Sequence, residues 1–140
     1  MSRFCLRAPV VAVIVTLLVS TSCGKPIPEV PQEEPVSYAV HLEPLVTAHC
    51  LNCHDSEEAK GKLVLDPGVG YEHLVGPHST QEPNMALVEP GDPEGSYLWL
   101  KLQHVTKEGK GMPRTLTGSK KLRPAELELY RRWIEGGAKP

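Results

Sequence analysis

The pentapeptide Cys50-Leu51-Asn52-Cys53-His54 decides how the rest of this chain is interpreted. Its two cysteines and its histidine stand at positions i, i+3 and i+4, which share one face of a helical turn. Two thiols and one imidazole therefore project together if the pentapeptide ends a helix. The preceding residues favour such a helix, because Pro44 suits a first helical position and apolar residues recur after it. We predict a first helix from Pro44 to Cys53.

The spacing is the CxxCH pattern of c-type haem attachment, in which one turn supplies two thioether bonds and an iron ligand. Three other interpretations compete. A zinc site needs four ligands and would have to recruit scattered histidines. A thioredoxin-like dithiol is expected beside a βαβ pattern, which does not precede this motif, and a plain disulfide gives His54 no role. We predict one haem c, attached through Cys50 and Cys53, with His54 as an iron ligand.

The first 22 residues have the features of an export signal. Arg3 and Arg7 precede an apolar run over residues 8–19, and small residues follow. Twelve helical residues cover only about 18 Å, against about 30 Å for a bilayer core, which disfavours a transmembrane span. The end of the segment resembles the lipobox of bacterial lipoproteins, whose cysteine is acylated, and this implies lipidation of Cys23. Ordinary secretion with a free Cys23 is the alternative, because such signals usually have Leu where this chain has Ser20.

Residues 23–37 are predicted to form a lipid-anchored tether. The segment contains four prolines and three glutamates, a composition that favours extended chain over packing. The prediction divides the chain into a signal peptide over 1–22, a tether over 23–37 and one domain over 38–140. The protein is expected to be exported to the periplasm, and Gly24 after the cysteine favours the outer membrane over the inner.

Composition and charge exclude one class of function. The chain has 140 residues, a formal net charge of -2 and a pI near 6.3, and nucleic-acid binders need a cationic surface. The charge is also polarised: residues 23–100 contain 3 basic and 13 acidic residues, whereas residues 101–140 contain 10 basic and 4 acidic ones. The sole phenylalanine, Phe4, lies in the signal segment, so a large apolar cofactor would help to fill the core.

The remaining pattern predicts an all-α domain of three to four helices separated by long loops. A short helix is expected through Tyr71 and Leu74, and another from Asp92-Pro93-Glu94 to about Gln103. The last helix is predicted to begin at Pro124 and to be closed by Gly136-Gly137. Its apolar face is expected to comprise Leu127, Tyr130, Trp133 and Ile134. Trp99, Trp133 and Tyr130 are interpreted as core residues.

The iron would need a second axial ligand opposite His54. The candidates are Met85, Met112, His41, His49, His73, His78 and His104. Met112 ranks first because Gly111 would let the backbone approach a flat ligand and Pro113 would stiffen the segment. Met85 is more simply explained as a space-filling side chain. A bis-histidine site through His73, His78 or His104 is the main alternative.

The chain resembles a class I c-type cytochrome, specifically the single-haem modules of planctomycetes and myxobacteria. The similarity covers about Val36 to Ala138. Beyond the pentapeptide, it rests on three segments in order, namely Pro90-Gly91-Asp92-Pro93-Glu94, Gly111-Met112-Pro113 and Trp133-Ile134-Glu135-Gly136-Gly137-Ala138. It implies a small cytochrome c fold whose first and last helices cross, with His54 and Met112 as the axial ligands.

These features predict an electron carrier rather than an enzyme. With both axial positions filled, a haem c can exchange one electron but offers no open site, and thioether ligation favours reduced iron. The expected partners are a redox protein donor and acceptor, and we expect a monomer held at a membrane by its lipid. Two rival functions remain open: a gas- or peroxide-binding haem protein, and a haem-free thiol-disulfide oxidoreductase that uses Cys50 and Cys53.

Overall fold

The computed structural model describes residues 30–115 and 117–140. This part of the chain is mostly helical, as the sequence predicts. In chain order it contains a π-helical turn (Tyr38–Leu42), α1 (Glu43–His49), α2 (Leu51–His54), a 3₁₀ turn (Lys60–Lys62), α3 (Gly70–Leu74), α4 (Tyr97–Gln103), strands β1 (Arg114–Thr115) and β2 (Gly118–Ser119), and α5 (Pro124–Glu135). None of the helices in these ranges is long and apolar enough to cross a membrane.

The first helical region is longer than the predicted span from Pro44 to Cys53. It begins with the π-helical turn at Tyr38 and runs through α1 and α2 to His54, with a local irregularity at Cys50. Leu42 and Val46 lie on its inner face and are almost fully buried. This apolar face explains the early start, because the turn over 38–42 packs against the core before Pro44 is reached.

The predicted start of the α4 helix at Asp92-Pro93-Glu94 is wrong. Asp92 Oδ1 accepts a hydrogen bond from Gly95 N at 2.9 Å, and the Ser96 amide donates to the Pro93 carbonyl at 3.0 Å. The aspartate thus stabilises a turn instead of capping a helix, a competition that short polar side chains often win. The helix begins only at Tyr97, and His104 ends it in a left-handed conformation with φ 65°.

Helix α5 has the predicted bounds, from Pro124 to Glu135. Gly137, with φ 88°, supplies the left-handed residue expected at its end, whereas Gly136 is right-handed. Leu129 is buried although the sequence did not assign it to the apolar face, and Leu127 is half-buried.

The core joins the first helical region to the last one. Trp133 on α5 is fully buried, and its ring centroid lies 5.7 Å from that of Tyr38. The Trp133 Nε1 group donates to the Lys139 carbonyl at 2.7 Å, and the Tyr38 amide donates to the same carbonyl at 3.0 Å. Tyr130 and Trp99 are buried as predicted. The two ends of the domain therefore stabilise one another.

The region after Met112 differs from the sequence prediction, whereas residues 76–92 agree with it. No strand was predicted, yet β1 and β2 pair as a short antiparallel ladder, with Arg114 opposite Ser119. In contrast, residues 76–92 are largely irregular, as expected, and contain only isolated bridges such as that between His78 and Ala86.

Residues 30–37, assigned by composition to the tether, pack onto the domain. The Arg132 guanidinium donates to the backbone carbonyls of Val30, Pro31, Gln32 and Glu34 at 2.7 to 3.3 Å. Val36 is buried in the core with 5% of its surface exposed. A proline-rich segment cannot form a regular ladder, and here one guanidinium binds its free carbonyls. The predicted signal peptide, Cys23 and the first part of the tether lie outside the described residues.

Candidate functional site

The pentapeptide forms the single helical turn that its spacing predicts. The amides of Cys53 and His54 both donate to the Cys50 carbonyl, each at 3.1 Å. The helix ends at His54, and Asp55 continues as extended chain. The Asp55 carboxylate accepts hydrogen bonds from the amides of Glu57 and Glu58, at 3.2 and 2.7 Å, so the chain after the motif turns sharply.

A cavity of about 470 Å³ lies beside this turn and is lined by both His54 and Met112. Its volume is in the range of cofactor-binding pockets. The walls come mainly from loops, over residues 60–64 and 77–81, and from one face of α4. The two side chains, 58 residues apart in the sequence, are therefore brought to one space, whereas Cys50 and Cys53 are not among the lining residues.

The cavity walls combine apolar and cationic side chains. The apolar ones are Leu63, Val64, Leu74, Leu87 and Leu98, and the cationic ones are Lys60, Lys62 and Lys101. None of the lining residues in the described ranges is acidic. Such a surface is suited to a largely apolar ligand that also has anionic groups, because burial of an anion requires a compensating charge or donor.

The imidazole of His54 is half-buried and incompletely bonded. Its Nδ1 atom is buried and has no hydrogen-bond partner in the described part of the chain. Burial lowers the pKa of His54. The backbone groups of Leu63 and Lys60 act to raise this pKa but do not outweigh burial, and the charge of Lys60 lowers it further. The neutral ring, which is the form that binds metals, is therefore favoured.

The two cysteines of the motif are unlinked and half-buried. Burial raises the pKa of Cys50 to about 12, and the neighbouring Cys53 adds to this effect. The Lys60 Nζ atom lies 3.8 Å from Cys53 Sγ. Because a thiol with such a pKa is almost entirely protonated at neutral pH, Cys50 is a poor nucleophile in this arrangement.

Gly111 lies against His104. A Cβ atom at Gly111 would overlap the ring of His104, so the glycine gives room to this histidine. His104 Nε2 is buried and, within the described ranges, lacks a hydrogen-bond partner. The Met112 amide donates to the Lys101 carbonyl at 2.9 Å, which ties the segment to α4.

The other candidate ligands separate into two groups. His73 and His78 line the same cavity as His54, and their Nδ1 atoms lie 2.7 and 2.8 Å from backbone carbonyls. The remaining candidates, which are Met85, His41, His49 and His104, are not among its lining residues. Of the seven candidates, Met112, His73 and His78 are thus the ones that share this cavity with His54.

No family model, curated protein or solved structure matches the chain. Within residues 30–115 and 117–140, no three His, Cys, Asp or Glu side chains are grouped as they would be around a metal ion. A zinc site, which needs four protein ligands, therefore has no ligand set among these residues.

The sequence did not indicate that Glu126, a buried carboxylate near the motif, belongs to a polar network. Glu126 Oε1 lies 3.1 Å from His49 Nε2 and accepts a hydrogen bond from Arg123 Nη2 at 2.6 Å. The Arg123 amide donates to Glu126 Oε2 at 2.8 Å. These residues line a second cavity of about 420 Å³ between α1 and the start of α5. The signal in the sequence was Glu126 in the first turn of α5, three residues after Arg123.

Glu126→Gln is expected to destabilise the domain by about 2 kcal/mol at pH 7, because it removes a charged partner of His49 and Arg123. Burial acts to raise the pKa of Glu126, but these hydrogen bonds outweigh it and lower the pKa from 4.5 to about 2. The stabilisation is therefore complete above about pH 4.5 and is lost as the pH falls towards 2.

Urea unfolding at several pH values measures this effect, with the exposed Glu128→Gln as the matched control. The difference between wild type and Glu126→Gln should shrink between pH 5 and pH 2. A difference that stays constant over this range would contradict the assignment.

Proposed function

We propose that this chain is a monohaem c-type cytochrome that carries single electrons. Cys50 and Cys53 would attach the haem, and His54 and Met112 would be its axial ligands. The observation that supports this most strongly is that His54 and Met112, widely separated in the sequence, line one cavity of about 470 Å³. A haem bound in this way supplies reversible one-electron exchange between ferrous and ferric iron.

The residues around the cavity suit this cofactor in three respects. His54 is the last residue of the turn that contains both cysteines, and its Nδ1 has no hydrogen-bond partner among the described residues. The leucine and valine side chains provide an apolar wall, and Lys60 and Lys62 can balance the propionate groups of a haem.

The thiol-disulfide alternative is disfavoured by the state of Cys50. Redox-active CxxC motifs depend on a thiol with a lowered pKa, whereas burial raises the pKa of Cys50. The gas-binding alternative requires an open sixth position, but three candidate ligands, Met112, His73 and His78, line the cavity. We therefore infer a carrier and not an enzyme.

The deciding experiment is a pyridine haemochrome assay on protein exported to the periplasm. We expect about one haem per wild-type chain and complete loss of covalent haem in the double variant Cys50→Ala/Cys53→Ala, since both thioether bonds are removed. His41→Ala, whose side chain is not among the cavity lining, is the control and should retain full haem content. Wild-type protein without haem would refute the proposal and favour a dithiol.

We further infer that the protein binds an acidic redox partner. The cations around Met112 in the sequence are all exposed, namely Lys107, Lys110, Arg114, Lys120, Lys121 and Arg123. Arg123 pairs with Glu126, whereas the others form no ion pair within the described ranges. An exposed group of like charges increases the association rate with a partner of opposite sign.

Oxidation of the reduced protein by the anion hexacyanoferrate(III) tests this charge effect. The rate constant should fall at least about tenfold as the ionic strength rises from about 0.01 to about 0.5 M. Lys120→Glu should reduce the low-salt rate, whereas Lys139→Glu, at the end of the chain, should change it less. A rate that does not depend on salt would remove the electrostatic part of the proposal.

The membrane attachment is proposed from the sequence alone. We infer that Cys23 is acylated after removal of residues 1–22, which would hold the domain at the periplasmic face of a membrane, the outer one being favoured. The reduction partner and the oxidation partner would then both be proteins that approach this surface.

A further inference from the structure

Lys101 is a buried lysine on α4 that no sequence pattern singled out. Only 6% of its surface is exposed, and it lines the cavity together with His54 and Met112. Its ammonium group forms no ion pair with a carboxylate in the part of the chain that the structure describes. Its hydrogen bonds go instead to two backbone carbonyls, those of Glu108 at 3.2 Å and Lys110 at 3.1 Å.

These bonds hold the segment that leads to Met112 around one ammonium group. Gly109 lies between the two carbonyls with φ 69°, and a Cβ atom there would overlap Lys101 Nζ. The carbonyl of Lys101 also accepts the Met112 amide at 2.9 Å. The ammonium group and the backbone carbonyl of Lys101 therefore both bind residues 108–112 to α4.

Neighbouring groups complete this arrangement. The Tyr97 hydroxyl donates to the Glu108 carbonyl at 2.8 Å, and Lys101 Nζ lies 4.8 Å from the centroid of the Tyr97 ring. The hydroxyl also lies 3.1 Å from Gln81 Oε1, in a loop that forms another wall of the cavity. Segment 108–112 is thus linked to two walls of the cavity through polar contacts.

A buried ammonium without a carboxylate is expensive in free energy, because carbonyl groups replace only part of its hydration. An apolar side chain of similar length would fill the same volume on α4 without that penalty. The presence of lysine therefore indicates a task that depends on its hydrogen bonds to the two carbonyls.

We propose that Lys101 is the positioning residue for Met112. By holding the carbonyls of Glu108 and Lys110, it keeps the segment that carries the thioether at the cavity. This inference rests on the proposed function, in which Met112 is an axial ligand. Without Lys101, segment 108–112 should open more often and leave the sixth position accessible.

The test compares the haem-loaded variants Lys101→Met and Lys107→Met. The methionine at position 101 keeps most of the length of the side chain but removes its donors. Lys107 is exposed and forms no hydrogen bond to residues 108–112 in the described structure. Imidazole should bind ferric Lys101→Met at least about tenfold faster than wild type, since two hydrogen bonds to a charged group are lost. Lys107→Met should bind imidazole at the wild-type rate.

Two further measurements keep this inference separate from the proposed function. Amide hydrogen exchange of residues 108–112 should be at least about tenfold faster in Lys101→Met than in Lys107→Met, with or without haem. If wild-type protein contains no haem, the proposed function fails, and the exchange rates alone decide the role of Lys101. The positioning role of Lys101 would be overturned by equal exchange rates in Lys101→Met and Lys107→Met. It would also be overturned if the Lys101→Met holoprotein bound imidazole at the wild-type rate. Lys101→Gln, neutral and shorter, replaces Lys101→Met if the latter does not fold, and the same outcomes apply.

Discussion

If the chain binds haem as proposed, replacing Met112 by alanine is expected to abolish the weak long-wavelength charge-transfer band of the oxidised protein and to lower its reduction potential. A thioether ligand favours ferrous iron, so its loss favours the ferric state. The affinity of the iron for external ligands such as imidazole should rise, because its sixth position is left open. We expect this rise to exceed roughly 10- to 100-fold, the usual effect of removing a group that only orients a metal ligand. Absorption spectroscopy, redox titration and imidazole binding measure these three changes.

Met85→Ala is the matched control, because Met85 is half-buried but does not line the cavity of His54. It should leave the band and the potential unchanged. His73→Ala and His78→Ala test the remaining candidates in the same cavity. Met112→Ala could retain the wild-type spectrum while His73→Ala or His78→Ala loses it. The protein would then be a bis-histidine cytochrome of lower potential with different partners.

Trp133→Ala should lower the free energy of unfolding by about 3–5 kcal/mol, a large part of the stability of a domain of this size. The side chain is fully buried, packs against Tyr38 and donates a hydrogen bond to the Lys139 carbonyl. Its removal therefore leaves a cavity at the contact between the first and last helical regions, and the Lys139 carbonyl keeps only its hydrogen bond from the Tyr38 amide. Guanidinium unfolding followed by far-ultraviolet circular dichroism measures the change.

Val40→Ala provides the comparison for Trp133→Ala, since Val40 is 66% exposed in the π-helical turn next to Tyr38. Its effect should remain within about 0.5 kcal/mol. Trp133→Phe keeps an aromatic ring but loses the donor, so its loss in free energy of unfolding should lie between those of Trp133→Ala and Val40→Ala. Comparable losses for Trp133→Ala and Val40→Ala would show that this contact does not stabilise the domain.

The sequence predicted the features that depend on local spacing and on apolar pattern. The turn from Cys50 to His54 and the bounds of α5 follow from short-range rules, and both are present in the structure. His54 and Met112, which the sequence analysis named as the axial ligands, line one cavity. Ligation of iron by these residues remains a prediction.

The missed features depend on contacts between residues that are far apart or on unusual partners. A lysine in a short helix is normally solvated, so the burial of Lys101 could not be predicted before the path of segment 108–112 was known. The contact of Gly111 with the ring of His104 was not indicated by the sequence either, because it depends on how segment 108–112 packs against the end of α4. At Asp92, a turn and a helix cap are equally compatible with the sequence, and only the structure distinguishes them.

The binding of residues 30–34 by Arg132 limits how far an anchored domain could move from a membrane. A free tether over residues 23–37 would reach about 50 Å when fully extended, but with residue 30 held on the domain, residues 23–29 reach only about 25 Å. That distance is similar to the diameter of a small domain. If Cys23 is acylated, an electron partner would have to present its own site close to the lipid surface. Arg132→Ala would increase the maximum distance between the domain and that surface about twofold.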